Sequence, residues 1–255
     1  MTEPLFTGVG VALATLFDEA GEVDAKATAG HAATLVELGI RAVVVAGSTG
    51  EAAALTAEER LTLLTETRKA VPAGVPVVAG TGAPSARQAA ALTRAAREAG
   101  ADAVLALCPP RSNDPRPYYQ AVAEAAGDLP ALAYHFPQTT PPGIPLEALP
   151  DLPVQGMKDS SGDPERLLAE LEVFGHPLYV GAAMLALLAG SLGVTGAILA
   201  VANVAPEHAI AAFAGDPDAQ RALLAPHRRV RHAFPLGLKD AIADRFGTSR
   251  VTRLG

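Results

Sequence analysis

Short apolar segments recur along the chain, and each is followed by a segment with helical spacing of apolar and polar residues. The apolar segments are rich in Val, Ile, Leu and Ala, and none alternates cleanly with polar residues. That pattern is typical of parallel strands that are buried on both faces. It predicts eight strands, over residues 8–15, 42–47, 75–82, 103–108, 130–134, 154–158, 177–181 and 195–202.

The segments between these strands carry helix start and stop signals. Thr56 stands three residues before Glu59, as in a capping box, and Gly100 follows the last periodic residue of the next segment. The proline-rich connector 135–153 is expected to hold at most one short helical turn. Helices are predicted over residues 24–38, 56–71, 83–99, 116–126, 163–174, 182–192 and 206–214.

Eight strand–helix alternations in a chain of 255 residues indicate an α/β fold of the closed (β/α)8 barrel type. The barrel is assigned to residues 1–215. Residues 216–255 are expected to extend the same domain with two further helices, separated by a break near Pro235. A doubly wound open sheet is the alternative, but no phosphate-binding fingerprint follows the first strand.

Residues 177–206 contain no charged side chain, and the run is long enough to span a bilayer. Gly190, Gly193 and Gly196 interrupt it, as does the polar residue Thr195. A buried helix and a buried strand separated by a glycine turn are therefore favoured over a membrane span.

Composition and charge narrow the function classes. The formal net charge is −7 without a basic stripe, so nucleic acid is not an expected partner. The single cysteine, Cys108, excludes a disulfide framework and is typical of a reducing compartment. The first residues show no basic region ahead of an apolar run, as a signal peptide would have. A cytoplasmic protein without membrane partners is expected.

Active sites of such barrels form where the strands end, and a lysine ends the sixth predicted strand. Lys158 follows the apolar residues of this strand, whereas Lys26 and Lys69 lie on predicted helices. A lysine at a strand end loses hydration, and a neutral amine can condense with a ketone to a Schiff base. The alternative is an ordinary charge whose stem reaches out to a carboxylate such as Asp159.

Two further strand ends carry candidate chemistry. Tyr134 ends the fifth predicted strand, next to that of Lys158, where its phenol could relay a proton or simply pack at the barrel rim. The second strand runs into a hydroxyl-rich glycine turn with Ser48 and Thr49, whose N–H and O–H groups could hold a carboxylate. The alternative is a tight turn between strand and helix that has no binding role.

Metal and serine-nucleophile sites are not indicated. The six histidines show no pairing at metal-ligand spacing, and the lone cysteine has no partner motif, so no metal site is predicted. Ser160 and Ser161 lack the GxSxG nucleophile elbow of serine hydrolases.

Five motifs follow one another in an order that resembles a known family. They are GSTGEAAALTAEER (47–60), VVAGTGAPSARQAAALTRAAREAGADAVL (77–105), YHFP (134–137), GMKDSSGD (156–163) and GAILAVANVAPE (196–207). Over about residues 8–210 the chain is similar to the dihydrodipicolinate synthase/N-acetylneuraminate lyase family of class I, pyruvate-dependent aldolases. The resemblance implies a (β/α)8 barrel that acts on a 2-oxo acid such as pyruvate. It also implies a homo-oligomer, a dimer or a tetramer.

The resemblance implies roles for the residues that match. Lys158 would form the Schiff base, so that no other cofactor is expected, and Tyr134 would shuttle a proton. Ser48 and Thr49 would bind the substrate carboxylate, with Ser48 also in the proton relay, and the Ile198 carbonyl would line the pocket. Other positions expected to bind substrate are Gly47, Thr139 and Gly181.

The chain also departs from the family pattern. Pro110 replaces a relay tyrosine, Thr139 replaces an arginine that grips a carboxylate, and His135 replaces an asparagine. The C-terminal tail is shorter than is usual in the family, which counts against the tetramer that is usual there. The neutral Thr139 favours a lyase acting on a 2-keto-3-deoxy sugar acid or a related 2-oxo acid. Open alternatives are a 4-hydroxy-tetrahydrodipicolinate synthase, with Arg111 or Arg116 as the grip, a dehydratase or hydratase–aldolase, and a non-catalytic 2-oxo acid-binding barrel.

Overall fold

The computed structural model describes residues 3–254 of the protein. Within that range eight parallel strands form a closed barrel, in which each strand pairs with the next and β8 returns to β1. The strands are β1 Gly8–Ala12, β2 Val43–Val45, β3 Val77–Gly80, β4 Ala103–Leu107, β5 Ala131–His135, β6 Gly156–Asp159, β7 Leu178–Val180 and β8 Gly196–Leu199. The predicted (β/α)8 fold is confirmed.

Helices surround the barrel and continue beyond β8. Several begin where the sequence signals predict, since Thr56 forms the capping box with Glu59 and Asp163 accepts hydrogen bonds from the first turn of its helix. The α-helices of residues 3–254 are α1 Ala25–Glu37, α2 Ala57–Ala70, α3 Ala86–Glu98, α4 Arg116–Ala126, α5 Pro164–Val173, α6 Ala186–Ser191, α7 Pro206–Phe213, α8 Pro217–Ala222, α9 Leu224–Arg231 and α10 Leu236–Phe246.

The C-terminal extension differs from the prediction, because it contains three helices rather than two. The break near Pro235 is present, between α9 and α10, but a second break separates α8 from α9 at Leu223. Pro226 lies in the first turn of α9 and has no N–H to donate to the carbonyl of the turn before it, so the helical ladder cannot run through.

The uncharged segment 177–206 folds as a buried strand, a short helix and a second strand, namely β7, α6 and β8. The preferred interpretation of this segment is confirmed. In residues 3–254, no helix has the length and apolar character needed to cross a membrane. The connector between β5 and β6 holds one short 3-10 helix, Leu146–Asp151, as predicted.

The strand register decides which side chains enter the barrel. Lys158 pairs with Tyr134 on one side and with Tyr179 on the other, and paired residues of neighbouring strands share a face. Tyr134 and Tyr179 belong to the apolar cluster that fills the barrel interior, so Lys158 also faces inward. Asp159 and His135, one residue further along their strands, face the surrounding helices.

Candidate active site

Lys158 lies inside the carboxyl end of the barrel and is almost fully enclosed. Its exposed fraction is 4%, and its Nζ lies over the ring of Tyr134, 4.4 Å from the ring centroid. Asp159 cannot be its partner, because it points to the other face, where its carboxylate accepts hydrogen bonds from Ser161 at 2.8 Å. Lys158 is therefore not a solvated surface charge.

Gly181 leaves the space that the Lys158 side chain occupies. A Cβ at Gly181 would lie 2.8 Å from the Lys158 Cε and 1.8 Å from the Ser160 Oγ, which is closer than atoms can approach. Gly181 follows β7, next to β6, so the absence of a side chain on one strand end makes room for the lysine on the other. The structure brings these two predicted site residues together.

Tyr134 is 5% exposed, and its ring stacks against Phe136 with a centroid distance of 5.9 Å. The phenol oxygen accepts a hydrogen bond from the Ser160 hydroxyl at 3.4 Å. Lys158 and Tyr134 thus lie together with the Ser160 hydroxyl at the carboxyl end of the barrel. We call the surroundings of these three side chains the chamber. Sequence motifs do not predict a role for Ser160. Strand alternation could have indicated one, because Ser160 lies two residues after Lys158 and therefore on the same face.

The predicted carboxylate-binding turn is a 3-10 turn, Ser48–Gly50, at the carboxyl end of β2. Ser48 and Thr49 are half-buried, and the first N–H groups of such a turn have no partner inside it. The turn packs tightly on β1: the Thr15 hydroxyl donates to the Gly50 carbonyl at 2.7 Å, and a Cβ at Gly50 would lie 2.9 Å from the Leu13 carbonyl oxygen. The N–H and hydroxyl groups of Ser48 and Thr49 donate to no partner within residues 3–254, whereas the Gly47 carbonyl accepts from the N–H groups of Gly50 and Ala52.

Ile198 lies on β8, pairs with Gly10 and is fully buried in the barrel interior. The loop after β8 is joined to β1 through Asn203, whose amide accepts from the Ala14 N–H at 3.1 Å and donates to the Ala12 carbonyl at 2.7 Å. Asn203 is fully buried and was not singled out from the sequence. An asparagine in an otherwise apolar run is the signal that could have found it.

Thr139 lies in the exposed part of the loop after β5, where its N–H donates to the Phe136 carbonyl. Pro110 is also exposed, in the loop after β4. Arg116 forms ion pairs with Asp114 at 2.8 Å and Asp151 at 3.4 Å. Pro110 and Thr139 lie in the loops after β4 and β5, and Arg116 is the first residue of α4.

The Arg111 side chain is exposed. Its N–H donates to the Pro141 carbonyl at 2.7 Å, which joins the loop after β4 to the loop after β5. Arg111 is therefore the arginine of these loops whose side chain has no carboxylate partner among residues 3–254.

A second polar cluster lies behind the site, between β5, β6 and α5. The His135 Nδ1 accepts from the Ile144 N–H at 2.8 Å, and its Nε2 lies 4.0 Å from Asp159. Burial lowers the pKa of His135 to about 4 and raises the pKa of Asp159. His135 is thus a neutral support of strand β5 that faces away from Lys158, and its departure from the family asparagine does not alter the chamber.

Glu170 of α5 completes the cluster. Its fully buried carboxylate pairs with Arg166 at 2.6 Å, and burial raises its pKa to about 7. Cys108, at the end of β4, is also buried, and burial raises the pKa of its thiol to about 11. No group of three or more His, Cys, Asp or Glu side chains in residues 3–254 could hold a metal ion.

Comparison with known proteins places this geometry in a family. The sequence model of the Dihydrodipicolinate synthetase family matches residues 5–228. The 4-hydroxy-tetrahydrodipicolinate synthase of Pseudomonas aeruginosa is 35% identical over 233 residues, which cover 86% of this chain and 80% of that protein.

Two solved structures are similar over 98% of this chain. Dihydrodipicolinate synthase from Aquifex aeolicus superposes with a TM-score of 0.87 at 28% identity and is covered to 91%. A prophage protein of E. coli K12 from the dihydrodipicolinic acid synthase family, solved in complex with pyruvate, superposes with a TM-score of 0.89 at 25% identity and is covered to 92%. The chain belongs to the dihydrodipicolinate synthetase family of pyruvate-dependent lyases.

Proposed function

We propose that the protein is a class I lyase that forms or cleaves a carbon–carbon bond to pyruvate through a Schiff base on Lys158. The observation that carries the proposal is the enclosure of this amine, 4% exposed, between the Tyr134 ring and Gly181. An amine that is shielded from water and not engaged by Asp159 is free to attack a carbonyl carbon. The similarity to a family member solved with pyruvate supports the same substrate.

In the proposed reaction the neutral amine of Lys158 attacks C2 of the 2-oxo acid, and the carbonyl oxygen takes up a proton. Loss of that oxygen as water gives a protonated imine, which withdraws electrons from C3. C3 then loses a proton, and the resulting enamine attacks an aldehyde to form the new bond. The reverse sequence cleaves that bond. The imine nitrogen is the electron sink, so the chemistry requires no separate cofactor.

The surrounding groups fit the proton transfers and the substrate binding that this sequence needs. Tyr134 and Ser160, joined by a hydrogen bond of 3.4 Å, give the leaving oxygen a proton path beside the amine. Ser48 and Thr49 would bind the carboxylate through their free N–H and O–H groups, with Ser48 in the relay. Ile198 would line the pocket near the substrate methyl group.

The second substrate is proposed from the outer loops. Thr139 is neutral and exposed, and Arg116 is engaged by Asp114 and Asp151. A partner without a carboxylate at this place, as in a 2-keto-3-deoxy sugar acid, is therefore preferred. Synthase activity with aspartate semialdehyde is the second candidate, because the relative from Pseudomonas aeruginosa bears that name. In that case Arg111, exposed at the junction of the loops, would bind the aldehyde's carboxylate.

Incubation with pyruvate followed by borohydride reduction and intact-protein mass measurement tests the reaction type. An adduct that is absent from Lys158→Ala is expected. No adduct with the native chain, or one that survives the substitution, would overturn the proposal. Release of pyruvate from a panel of 2-keto-3-deoxy acids, assayed beside synthase turnover with aspartate semialdehyde, orders the two candidates. Robust synthase turnover that is lost in Arg111→Ala would select the synthase.

The oligomeric state is also proposed from the family. We expect a homo-oligomer, and exposed leucines on the outer helices, Leu168 of α5 and Leu188 of α6, are apolar surface that a second copy could cover. Sedimentation velocity measures the oligomeric state directly. A cytoplasmic location is proposed from the single cysteine, which is typical of a reducing compartment.

A further inference from the structure

A second buried lysine lies close to the carboxylate-binding turn, on its outer side. Lys239 of α10 has no exposed surface, and its Nζ lies 3.2 Å from the carboxylate of Glu51, which is equally buried. Glu51 directly follows the Ser48–Gly50 turn and adopts a left-handed conformation, with φ of 56°. The ion pair therefore joins the last helix of the chain to the end of the turn.

Lys239 also contacts the segment after β1, on which the turn packs. Its ammonium donates to the carbonyl of Thr15, at the end of β1, and to the carbonyl of Val251 at 3.1 Å. The Thr15 hydroxyl in turn donates to the Gly50 carbonyl. The lysine thus holds Glu51 directly and Gly50 through Thr15, so two consecutive residues at the end of the turn are fixed from one point.

The C-terminal segment completes the clamp. The second carboxylate oxygen of Glu51 accepts the N–H groups of Arg253 and Leu254, both at 2.8 Å. The Arg253 side chain donates to the carbonyls of Gly21 at 2.7 Å and Ala54 at 3.1 Å, which seals the segment over the loop. Residues more than 200 positions apart in sequence are therefore joined at one carboxylate.

Stability alone does not explain a fully buried ion pair, because the desolvation of both charges offsets their attraction. Burial lowers the pKa of Lys239, and the Glu51 carboxylate opposes that lowering. What such a pair supplies is a fixed geometry, since both charged groups must keep their partners. Here the fixed element is the Ser48–Gly50 turn at the carboxyl end of β2, which is proposed to bind the substrate carboxylate.

We propose that Lys239 and Glu51 are positioning residues that, with the backbone of Arg253 and Leu254, hold the Ser48–Thr49 turn in the shape that binds a 2-oxo acid carboxylate. The inference rests on the proposed Schiff-base function. It extends the set of working residues to Lys239, Arg253 and Leu254, which lie outside the barrel strands.

The test compares two ketones that differ in the carboxylate. In Lys239→Met and Glu51→Gln the concentration of pyruvate that half-saturates borohydride trapping should rise about tenfold, as for one lost charge-assisted contact, while the maximal trapping rate stays within about threefold. Trapping of acetone, which has no carboxylate, should be unchanged. The double variant should be no worse than either single variant, because both remove the same interaction.

Glu207→Gln is the matched control, because it removes an exposed ion pair that also ties α10 to the barrel, through Arg245. It should leave both ketones unaffected. Should Lys239→Met fail to fold, removal of residues from 253 onward takes away both backbone donors and leaves Lys239 paired. That variant should show the same selective loss for pyruvate.

Equal loss of trapping for both ketones, or no loss for either, would overturn the positioning role. Absence of an adduct in the native chain would instead overturn the proposed reaction itself. The two failures are therefore distinguishable.

Discussion

The protein buries two lysines, and their surroundings differ in one decisive respect. Lys158, inside the barrel, is 4% exposed and contacts the ring of Tyr134, with Gly181 leaving room for its stem. Lys239, outside the barrel, is fully buried and lies 3.2 Å from the Glu51 carboxylate. Both Nζ atoms lie 4.4 Å from an aromatic centroid, so the carboxylate, rather than the aromatic ring, distinguishes the two sites.

The difference shows how one residue type supports two tasks in one fold. A buried lysine whose Nζ contacts two carbonyls and a carboxylate is fixed in place and cannot reach a substrate. A buried lysine that faces an aromatic ring and a glycine, with no carboxylate partner, keeps its nitrogen available. The barrel places the second kind at a strand end and the first kind against a loop that serves it.

The largest expected effect is on activity at Lys158. Lys158→Met should lower kcat/KM by roughly 10⁴-fold or more, because the covalent step has no substitute in the chamber. The free energy of unfolding should not fall, since the substitution replaces a buried amine that has no carboxylate partner by an apolar chain of similar size. Steady-state kinetics and urea unfolding measure both. A marked loss of stability would mean that Lys158 has a structural role.

Lys239→Met should affect the free energy of unfolding more than Lys158→Met does, and activity less. Breaking a buried ion pair by removing one partner costs about 3–5 kcal/mol, because the Glu51 carboxylate stays buried without its counterion. Urea unfolding of this variant and of Lys158→Met, compared under one set of conditions, sharpens the contrast. Equal free energies of unfolding would remove the distinction between the two lysines.

The next effect concerns the hydroxyl beside Lys158. Tyr134→Phe keeps the ring that the amine contacts and removes only the proton donor, so turnover should fall about 10²–10³-fold while the pyruvate adduct still forms, more slowly. Rapid-quench borohydride trapping separates adduct formation from turnover. An unchanged turnover rate would assign the proton transfer to Ser160 or to Ser48 instead.

Much of this site is readable from sequence because its signals are local. The eight apolar segments predict the barrel, and Lys158 and Tyr134 are found simply because each ends a strand. Lys239 gives no such signal, since it lies in a helix of ordinary amphipathic pattern. Its burial arises only when the chain end returns to Glu51, more than 200 residues away, and local patterns carry no information on such a return.

The loop after β5 is a second example of structure that local sequence patterns do not predict. Thr139 is predicted to contact the substrate from its place in a motif, but its position depends on how the loop after β5 folds back over its own strand. His135 stands next to Tyr134 in the YHFP motif but faces away from Lys158, because neighbouring strand residues point to opposite faces. Motif order therefore predicts the reaction type better than it predicts the second substrate.

A second ion pair with a buried carboxylate, Arg166–Glu170 behind β6, offers the smallest and cleanest test. Burial raises the pKa of Glu170 from 4.5 to about 7, so the folded protein binds this proton more tightly than the unfolded chain. The contribution of Glu170 to the free energy of unfolding is therefore greatest at low pH, falls as pH rises from about 4.5 to about 7, and is constant above that. Glu170→Gln lacks this dependence.

The free energy of unfolding of the native chain relative to Glu170→Gln should therefore be higher at pH 5 than at pH 8, by roughly 2–3 kcal/mol. Burial lowers the pKa of His31 and His135 to about 4, which makes stability rise with pH up to about 6.5 in both proteins. These terms cancel in the difference, so urea unfolding at both pH values isolates Glu170. Parallel pH profiles would show that Arg166 keeps the Glu170 carboxylate ionised.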